Sequence, residues 1–307
     1  MATINPAIAL LKGIRMVRAK AFHRLGGAIG VGLWAITPLF PVSAQVESQP
    51  ITPDTLLQLC YVQASGSEPA TAVQTCTAAI EATPDNAFAY LARSISHNRL
   101  QAFQNAVDDA TQALQLDPAL FFAYLSRSIA RNELGDYQGS LTDAEEAVRL
   151  NPESAEAHLA RGDARIRLGL FQQGLEDANR TLELSPDSVL AYVNRSTAWL
   201  ELGNPQNAFD DASEALRLNP NLALAYANRA SAQLQLEEFM GAVADADRAL
   251  TLNPNLPLAY AIRGEAQFNL GDASAALTDL QQAADLFLQA ENSVQYRRML
   301  ELIRTIN

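Results

Sequence analysis

A period of thirty-four residues constrains this chain more than any other feature. Proline recurs at that step six times, and the same interval separates tyrosines, arginines and aspartates. Four residue types held in register over six copies predict a repeat protein, in which each copy stacks on its neighbours. The prolines are Pro84, Pro118, Pro152, Pro186, Pro220 and Pro254, and the tyrosines are Tyr90, Tyr124, Tyr192, Tyr226 and Tyr260, with His158 in the remaining copy.

Each copy is expected to form two helices. Apolar or small residues recur three and four apart from Phe122 to Leu134, and again from Tyr137 to Leu150, which is helical spacing. Gly135 is a helix-stop residue and Asp136 can cap the helix that follows. The second helix should end before Pro152, because proline disfavours helical geometry in the residue before it. We call the two helices of a copy helix A and helix B.

These features resemble the tetratricopeptide repeat family. The match rests on the copy length, the aromatic residue early in helix A, the small residue four positions later, the Leu-Gly turn, the paired alanines and the terminal proline, and it covers about Pro53 to Gln289. In two registers the copies depart from the family pattern: arginine replaces its leucine, and alanine, as at Ala144, replaces its aromatic residue. The resemblance implies an all-α, right-handed α-solenoid of stacked antiparallel helix pairs with a C-terminal capping helix. We divide the chain into a signal peptide (1–44), a linker (45–52), a degenerate first repeat (53–86), six full repeats (87–290) and the capping helix (291–307).

The N-terminal residues lie outside the repeat. Residues 1–44 hold five cations and no acid, and an uncharged apolar run from Leu25 to Phe40 leads to small residues up to Ala44. This pattern predicts a signal peptide cleaved near Ala44 and a periplasmic, lumenal or extracellular protein. Two alternatives stay open: an uncleaved membrane anchor, although the run is short for a span, and an organelle transit peptide.

Charge restricts the partners. Without the five leader cations, 17 of the 22 basic residues remain against 34 acidic ones, a net charge of −17, and no lysine is left. Nucleic acid and anionic membrane surfaces both require clustered positive charge. We therefore expect a protein or peptide partner, neither nucleic acid nor direct contact with an anionic membrane. The sequence leaves the oligomeric state open.

An arginine of each helix A and an aspartate sixteen residues later repeat through the chain. They could form a ligand-binding stripe or an architectural ion pair. Identical residues in every copy are typical of the scaffold, so we interpret them as a structural ladder. Its members are Arg93, Asp109, Arg127, Asp143, Arg161, Asp177, Arg195, Asp211, Arg229, Asp245, Arg263 and Asp279.

The sequence contains no phosphate-binding glycine loop, no metal-spaced Cys/His set and no nucleophile motif. We therefore predict a binding protein without enzymatic activity, cofactor or metal. The resemblance implies that helix A lines a concave groove; its apolar residues could equally pack against the next helix A. The predicted partner-binding residues are Phe88, Leu91, Ile95, Phe122, Leu125, Ile129, Asn194, Thr197, Asn228 and Ser231, with Glu156, Asp163, Arg167, Glu265 and Phe268 at further groove positions.

Some relatives with Asn-Arg repeats hold a partner's C-terminal carboxylate with Lys, Asn and Arg side chains. Asn194 and Asn228 match the asparagine of that clamp, but the lysine is missing. The sequence therefore predicts a scaffold whose partner differs from a chaperone tail. A membrane-tethered assembly factor for an envelope complex is the alternative.

The two cysteines, Cys60 and Cys76, fall in the degenerate first repeat, one on each helix and on either side of the turn at Ser65–Pro69. An antiparallel hairpin would bring them side by side, and export would place them in an oxidising compartment. We predict a disulfide; the alternative is a pair of small buried side chains.

Overall fold

The computed structural model describes residues 52–306, and this part of the chain is helical. Between these residues there are fifteen α-helices and no strand. Consecutive helices contact one another throughout, and each helix A also contacts the helix A of the next repeat. The helices are α1 (Pro53–Ala64), α2 (Pro69–Ala82), α3 (Ala87–Arg99), α4 (Phe103–Leu116), α5 (Phe121–Glu133), α6 (Tyr137–Leu150), α7 (Ala155–Arg167), α8 (Phe171–Leu184), α9 (Val189–Glu201), α10 (Pro205–Leu218), α11 (Ala223–Gln235), α12 (Phe239–Leu252), α13 (Pro257–Asn269), α14 (Ala273–Gln289) and α15 (Ser293–Ile306).

These helices confirm an all-α solenoid of helix pairs stacked in series. Odd-numbered helices are the A helices and even-numbered ones are the B helices, and α15 follows the last pair. The predicted signal peptide and residues 45–51 of the predicted linker lie outside the described residues. Thr52 belongs to the first helix as its N-cap, and its hydroxyl accepts a hydrogen bond from the Thr55 amide at 3.3 Å.

The turn from helix A to helix B needs one residue in the left-handed region. Glycine supplies it in four repeats, for example Gly135 with φ 81°, because glycine has no Cβ to clash there. In the first and fifth full repeats, Gln101 (φ 59°) and Glu237 (φ 62°) take the same conformation. The Asp136 carboxylate then caps helix B by accepting from the Gly139 amide at 2.9 Å. The turn geometry is therefore the same whether or not glycine is present.

Small buried residues let the two helices of a repeat approach closely. The buried Ser94 hydroxyl donates to the Ala106 carbonyl on α4 at 2.8 Å, and Ser196 does the same to Ala208 on α10 at 2.9 Å. At Gly162, in the same register as Ser94, an added Cβ would lie 3.0 Å from the Asp177 Cβ. Any larger side chain would push the pair apart, at about 1–3 kcal/mol.

The first pair, α1 and α2, is joined by a disulfide. Cys60 and Cys76 are bonded with an S–S distance of 2.02 Å and a Cα–Cα distance of 4.7 Å, and both are fully buried. They occupy the registers of Ser94 and Ala110 in the next repeat. The crosslink therefore stands where the other repeats rely on small residues in close contact.

The last pair is covered by α15. Its Met299 side chain is fully buried against α14, in a cluster with Leu280 and Phe287. Tyr296 packs beside them, whereas Val294 is 65% exposed. A step of thirty-four residues from Tyr260 predicts Val294 at the tyrosine position of the capping helix. Tyr296 takes that position instead, so the register of this helix is displaced by two residues. The displacement follows from α14, which at 17 residues is three longer than the 14-residue B helices before it.

Candidate partner-binding surface

In each of the six full repeats, the arginine of helix A pairs with the aspartate sixteen residues later on helix B. In the first full repeat, Arg93 Nε and Nη2 donate to both Asp109 carboxylate oxygens at 2.8 and 2.7 Å. The aspartates are buried and the guanidinium groups are partly buried, with 15% and 2% side-chain exposure for Arg127 and Asp143. This bidentate geometry is among the stronger ion-pair arrangements. It recurs at Arg127–Asp143, Arg195–Asp211, Arg229–Asp245 and Arg263–Asp279, while Arg161 donates to Asp177 from the same two nitrogens.

Four of these arginines, Arg93, Arg127, Arg195 and Arg263, also hydrogen-bond to helix B of the preceding repeat. Arg127 Nη1 donates to the Thr111 hydroxyl on α4 at 3.1 Å, and Arg195 Nη1 donates to the Asn179 side-chain carbonyl on α8 at 2.9 Å. In five repeats the guanidinium lies 5.5–5.8 Å from the centre of the ring three residues earlier, as Arg127 does over Tyr124, within cation–π range. These contacts join the arginines to the aromatic ring of their own helix as well as to neighbouring B helices. The ladder arginines therefore act within the scaffold.

Two further cations approach the ladder aspartates. Arg131 Nη1 donates to Asp143 at 2.8 Å and Arg165 Nη1 donates to Asp177 at 2.6 Å. Sequence analysis missed both, although they share one register thirty-four residues apart. His158, which replaces the tyrosine in this repeat, lies 3.3 Å from Asp177 through Nδ1 and 3.0 Å from the Pro152 carbonyl through Nε2. The third full repeat therefore surrounds one buried carboxylate with three nitrogen-bearing side chains.

We define the A-helix surface as the side of the A helices that faces away from the B helices. Of the ten predicted partner-binding residues, Phe88 and Ile129 are 37% and 44% exposed. Five more are partly exposed: Ile95, Phe122, Asn194, Thr197 and Ser231.

Leu91, Leu125 and Asn228 are buried, so the prediction that they contact a partner directly is corrected. Leu91 lies in a hydrophobic cluster that includes Ala123 of the next helix A, and Leu125 is 8% exposed. Asn228 is 3% exposed, and its amide donates to the Val193 carbonyl at 3.2 Å and the Thr197 hydroxyl at 2.9 Å. The Asn228 amide therefore joins α11 to α9 and does not face a partner.

Three leucines on this surface were missed by the sequence analysis. Leu190, Leu224 and Leu258 are 56%, 39% and 37% exposed. Each lies a multiple of thirty-four residues from Phe88 and Phe122. The thirty-four-residue step from Phe88 could have identified them. In the six full repeats, one side chain per A helix thus forms an apolar row, with Glu156 in the third full repeat as its one interruption.

Polar side chains join neighbouring A helices on the same surface. The Asn98 amide donates to the Ser126 hydroxyl at 2.9 Å, and the Asn132 amide donates to Asp163 at 2.6 Å. At the C-terminal end, Arg298 of α15 donates to Glu265 at 3.0 Å. These contacts place two carboxyl groups, Asp163 and Glu265, at partly buried positions among the A helices.

Burial raises the pKa of the Asp163 and Glu265 carboxyl groups, because desolvation disfavours their charged form. Arg167 and the Asn132 amide act in the opposite direction at Asp163, and Arg298 does so at Glu265. The surface therefore combines apolar side chains, amides and two carboxyl groups whose charged form is stabilised by a cationic neighbour.

Within residues 52–306, no set of three or more His, Cys, Asp or Glu side chains is placed to hold a metal ion. None of the helices in that part of the chain combines the length and apolar character needed to cross a membrane. The side chains of the A-helix surface are instead suited to burying apolar groups and hydrogen-bonding to a peptide backbone.

The chain is similar to known repeat proteins. A family model described as tetratricopeptide repeat matches residues 127–189, 159–223 and 227–293. Among solved structures, a tetratricopeptide repeat protein from Parabacteroides merdae is 21% identical with a TM-score of 0.60, covering 83% of this chain and 98% of its own. The APC/C hetero-tetramer Cut9–Hcn1 is 17% identical with a TM-score of 0.66, covering 81% of this chain and 48% of that one.

A thermophilic repeat protein from Thermus thermophilus is 24% identical with a TM-score of 0.51, covering 59% of this chain and 98% of its own. No curated protein matches the chain significantly. The identities are low, so these structures establish the fold alone. Together with the family model and the helix pairs described above, they show that this chain belongs to the tetratricopeptide repeat family.

Proposed function

We propose that the protein is a non-catalytic scaffold that holds a protein or peptide partner on its A-helix surface. The tetratricopeptide repeat fold supports a protein–protein interaction scaffold, and the apolar row is the observation that carries the proposal. Leu190, Leu224 and Leu258 leave 37–56% of their surface in water at equivalent positions of three successive repeats. If a partner covered the exposed part of each leucine, that burial would contribute on the order of 1 kcal/mol to the free energy of binding.

Affinity capture tests the location of the surface. The protein is used as bait in an extract of the source cells, and the retained proteins are identified by mass spectrometry. Leu224→Ala should weaken retention of the partner. Met240→Ala is the matched control, because Met240 is an apolar side chain that is 79% exposed on helix B of the same repeat. Equal losses from both variants, or loss from Met240→Ala alone, would move the binding site away from the A-helix surface.

We also propose that the protein acts outside the cytoplasm. The basic and apolar leader supports this, and so does the Cys60–Cys76 disulfide, because such bonds persist in oxidising compartments. N-terminal sequencing of protein from the source cells tests it. A start at Gln45 supports an exported scaffold, whereas an intact leader favours a membrane-tethered assembly factor for an envelope complex.

A further inference from the structure

The capping helix shows how a carboxyl group on the A-helix surface is satisfied. Glu265 lies five residues after Tyr260, and Arg298 lies two residues after Tyr296 on the next helix of the A type, α15. The Arg298 Nη2 donates to the two Glu265 carboxylate oxygens at 3.0 and 3.3 Å. The same two positions meet between α9 and α11, where Asn228 donates to the Thr197 hydroxyl at 2.9 Å. In both places, the donor lies two residues after the aromatic residue of one helix A. The acceptor lies five residues after the aromatic residue of the preceding helix A.

Asp163 occupies the acceptor position in the third full repeat, five residues after His158. The matching donor position, two residues after Tyr192, is held by Asn194. The Asn194 side chain forms no hydrogen bond with any residue in the range 52–306, although it is partly exposed. Asp163 therefore lacks the contact from the next helix A that Glu265 receives.

Asp163 has two side-chain partners, Asn132 and Arg167. Its Oδ2 accepts from the Asn132 amide at 2.6 Å, a neutral donor. Its other oxygen, Oδ1, lies 3.7 Å from Arg167 Nε, on a side chain that is 52% exposed. An ionised carboxylate can accept about four hydrogen bonds, so acceptor capacity remains. About a third of the Asp163 side chain, 32%, is still open to solvent and can be reached by a ligand.

We propose that a guanidinium group from the partner, an arginine side chain, binds between Asp163 and Asn194 and takes the place that Arg298 takes at Glu265. This inference rests on the proposed function, whose partner it describes as a cationic segment. Charge complementarity favours it, because the chain without its leader carries a net charge of −17 and has no lysine. A planar guanidinium can donate to the Asp163 carboxylate and to the Asn194 carbonyl together, which a single ammonium does less well.

A small probe separates this inference from the search for the partner. Nα-acetyl-arginine amide carries the guanidinium with both backbone charges blocked, and Nα-acetyl-citrulline amide is its neutral analogue. Each is titrated into ¹⁵N-labelled protein while the Asn194 side-chain amide resonance is followed. We expect a saturable shift with the arginine compound and none with the citrulline compound.

Three variants locate the site. Asp163→Asn should weaken binding of the arginine compound at least tenfold. Asn194→Arg supplies the missing guanidinium within the chain, so the arginine compound should no longer shift the side-chain amide resonance of Asn132, which donates to Asp163. The variant should also raise Tm, as an added ion pair would. Glu214→Gln removes a carboxylate on helix B that is already paired with Arg217, at 2.6 Å, and should leave binding at Asn194 unchanged.

The inference is overturned if the arginine compound produces no saturable shift, if citrulline produces the same shift, or if Asp163→Asn binds as tightly as the original protein. Failure of the probe with successful partner capture removes this inference and leaves the proposed function standing. Probe binding at Asp163, with partner capture unaffected by Leu224→Ala, keeps the cation site and removes the apolar row as the contact that holds the partner.

Discussion

Replacing Asp143 by asparagine tests whether the Arg–Asp ladder holds the repeats together. The Asp143 side chain is 2% exposed and accepts from Arg127 and Arg131, both at 2.8 Å. Asparagine preserves the shape of the side chain but removes the charge between two guanidinium groups. Removing one partner of a buried ion pair costs about 3–5 kcal/mol, because the remaining charge is left uncompensated. We expect the lower end, about 3 kcal/mol, since the two arginine side chains are 15% and 26% exposed.

Hydrogen exchange is the suitable assay, because a solenoid can open locally without unfolding as a whole. A loss of about 3 kcal/mol corresponds to roughly a hundredfold increase in the exchange rate of the protected amides. We expect that increase in α5 and α6, with smaller effects in the flanking α4 and α7. The terminal helices should be unaffected.

The matched control is Glu146→Gln on the same helix. Glu146 accepts from Arg149 three residues later, and their side chains are 31% and 65% exposed. The charge removed is the same, but the pair is solvated, so exchange should stay within error of the original protein. If Asp143→Asn is no more destabilising than Glu146→Gln, the ladder contributes no more than surface charge and our reasoning is refuted.

Three further predictions concern the first repeat, a turn and the A-helix surface. Reducing the Cys60–Cys76 disulfide should cost the first helix pair about 3 kcal/mol, measured as lost exchange protection in α1 and α2 alone; loss spread over the whole chain would contradict it. Gln101→Gly should raise the free energy of unfolding in urea by up to about 1 kcal/mol, and Gly135→Ala should lower it by a similar amount. The reason is that both positions have φ near +60 to +80°, where glycine is favoured over other residues. Burial raises the pKa of Asp163, so its contribution to stability falls as pH rises through that pKa. Asp163→Asn should therefore be at least as stable as the original near neutral pH, and its stability should depend less on pH above the ordinary pKa of an aspartate. A steeper dependence would contradict the raised pKa.

The period of the sequence was sufficient to predict the fold. Each helix pair depends on residues within one copy and its neighbours, so local spacing determines where helices begin and end. The Arg–Asp pairing could be anticipated for the same reason, since sixteen residues separate Arg127 from Asp143 as they separate every other pair. The second cation at Arg131 was hidden because its register varies between arginine, histidine, tryptophan and glutamine.

The candidate surface was predicted less well, because exposure depends on what the neighbouring helix provides. Asn194 and Asn228 are equivalent in sequence, yet Asn228 is buried and donates to the Thr197 hydroxyl on the preceding helix A. Asn194 stays partly exposed, and the equivalent position on its preceding helix A holds Asp163. The shift of the capping helix was likewise unpredictable from the period. It follows from the longer α14, which brings Tyr296 to the core in place of Val294.

Site-specific photo-crosslinking tests the central claim most directly. Benzoylphenylalanine is introduced in separate variants at Leu190 and Leu224 on the A helices, and at Gln172 and Met240 on the exposed side of the B helices. After irradiation of source cells, we expect a discrete adduct with one partner protein from the two A-helix positions and none from the two B-helix positions. Adducts from the B-helix positions alone would show that the partner binds the opposite surface and would contradict the account.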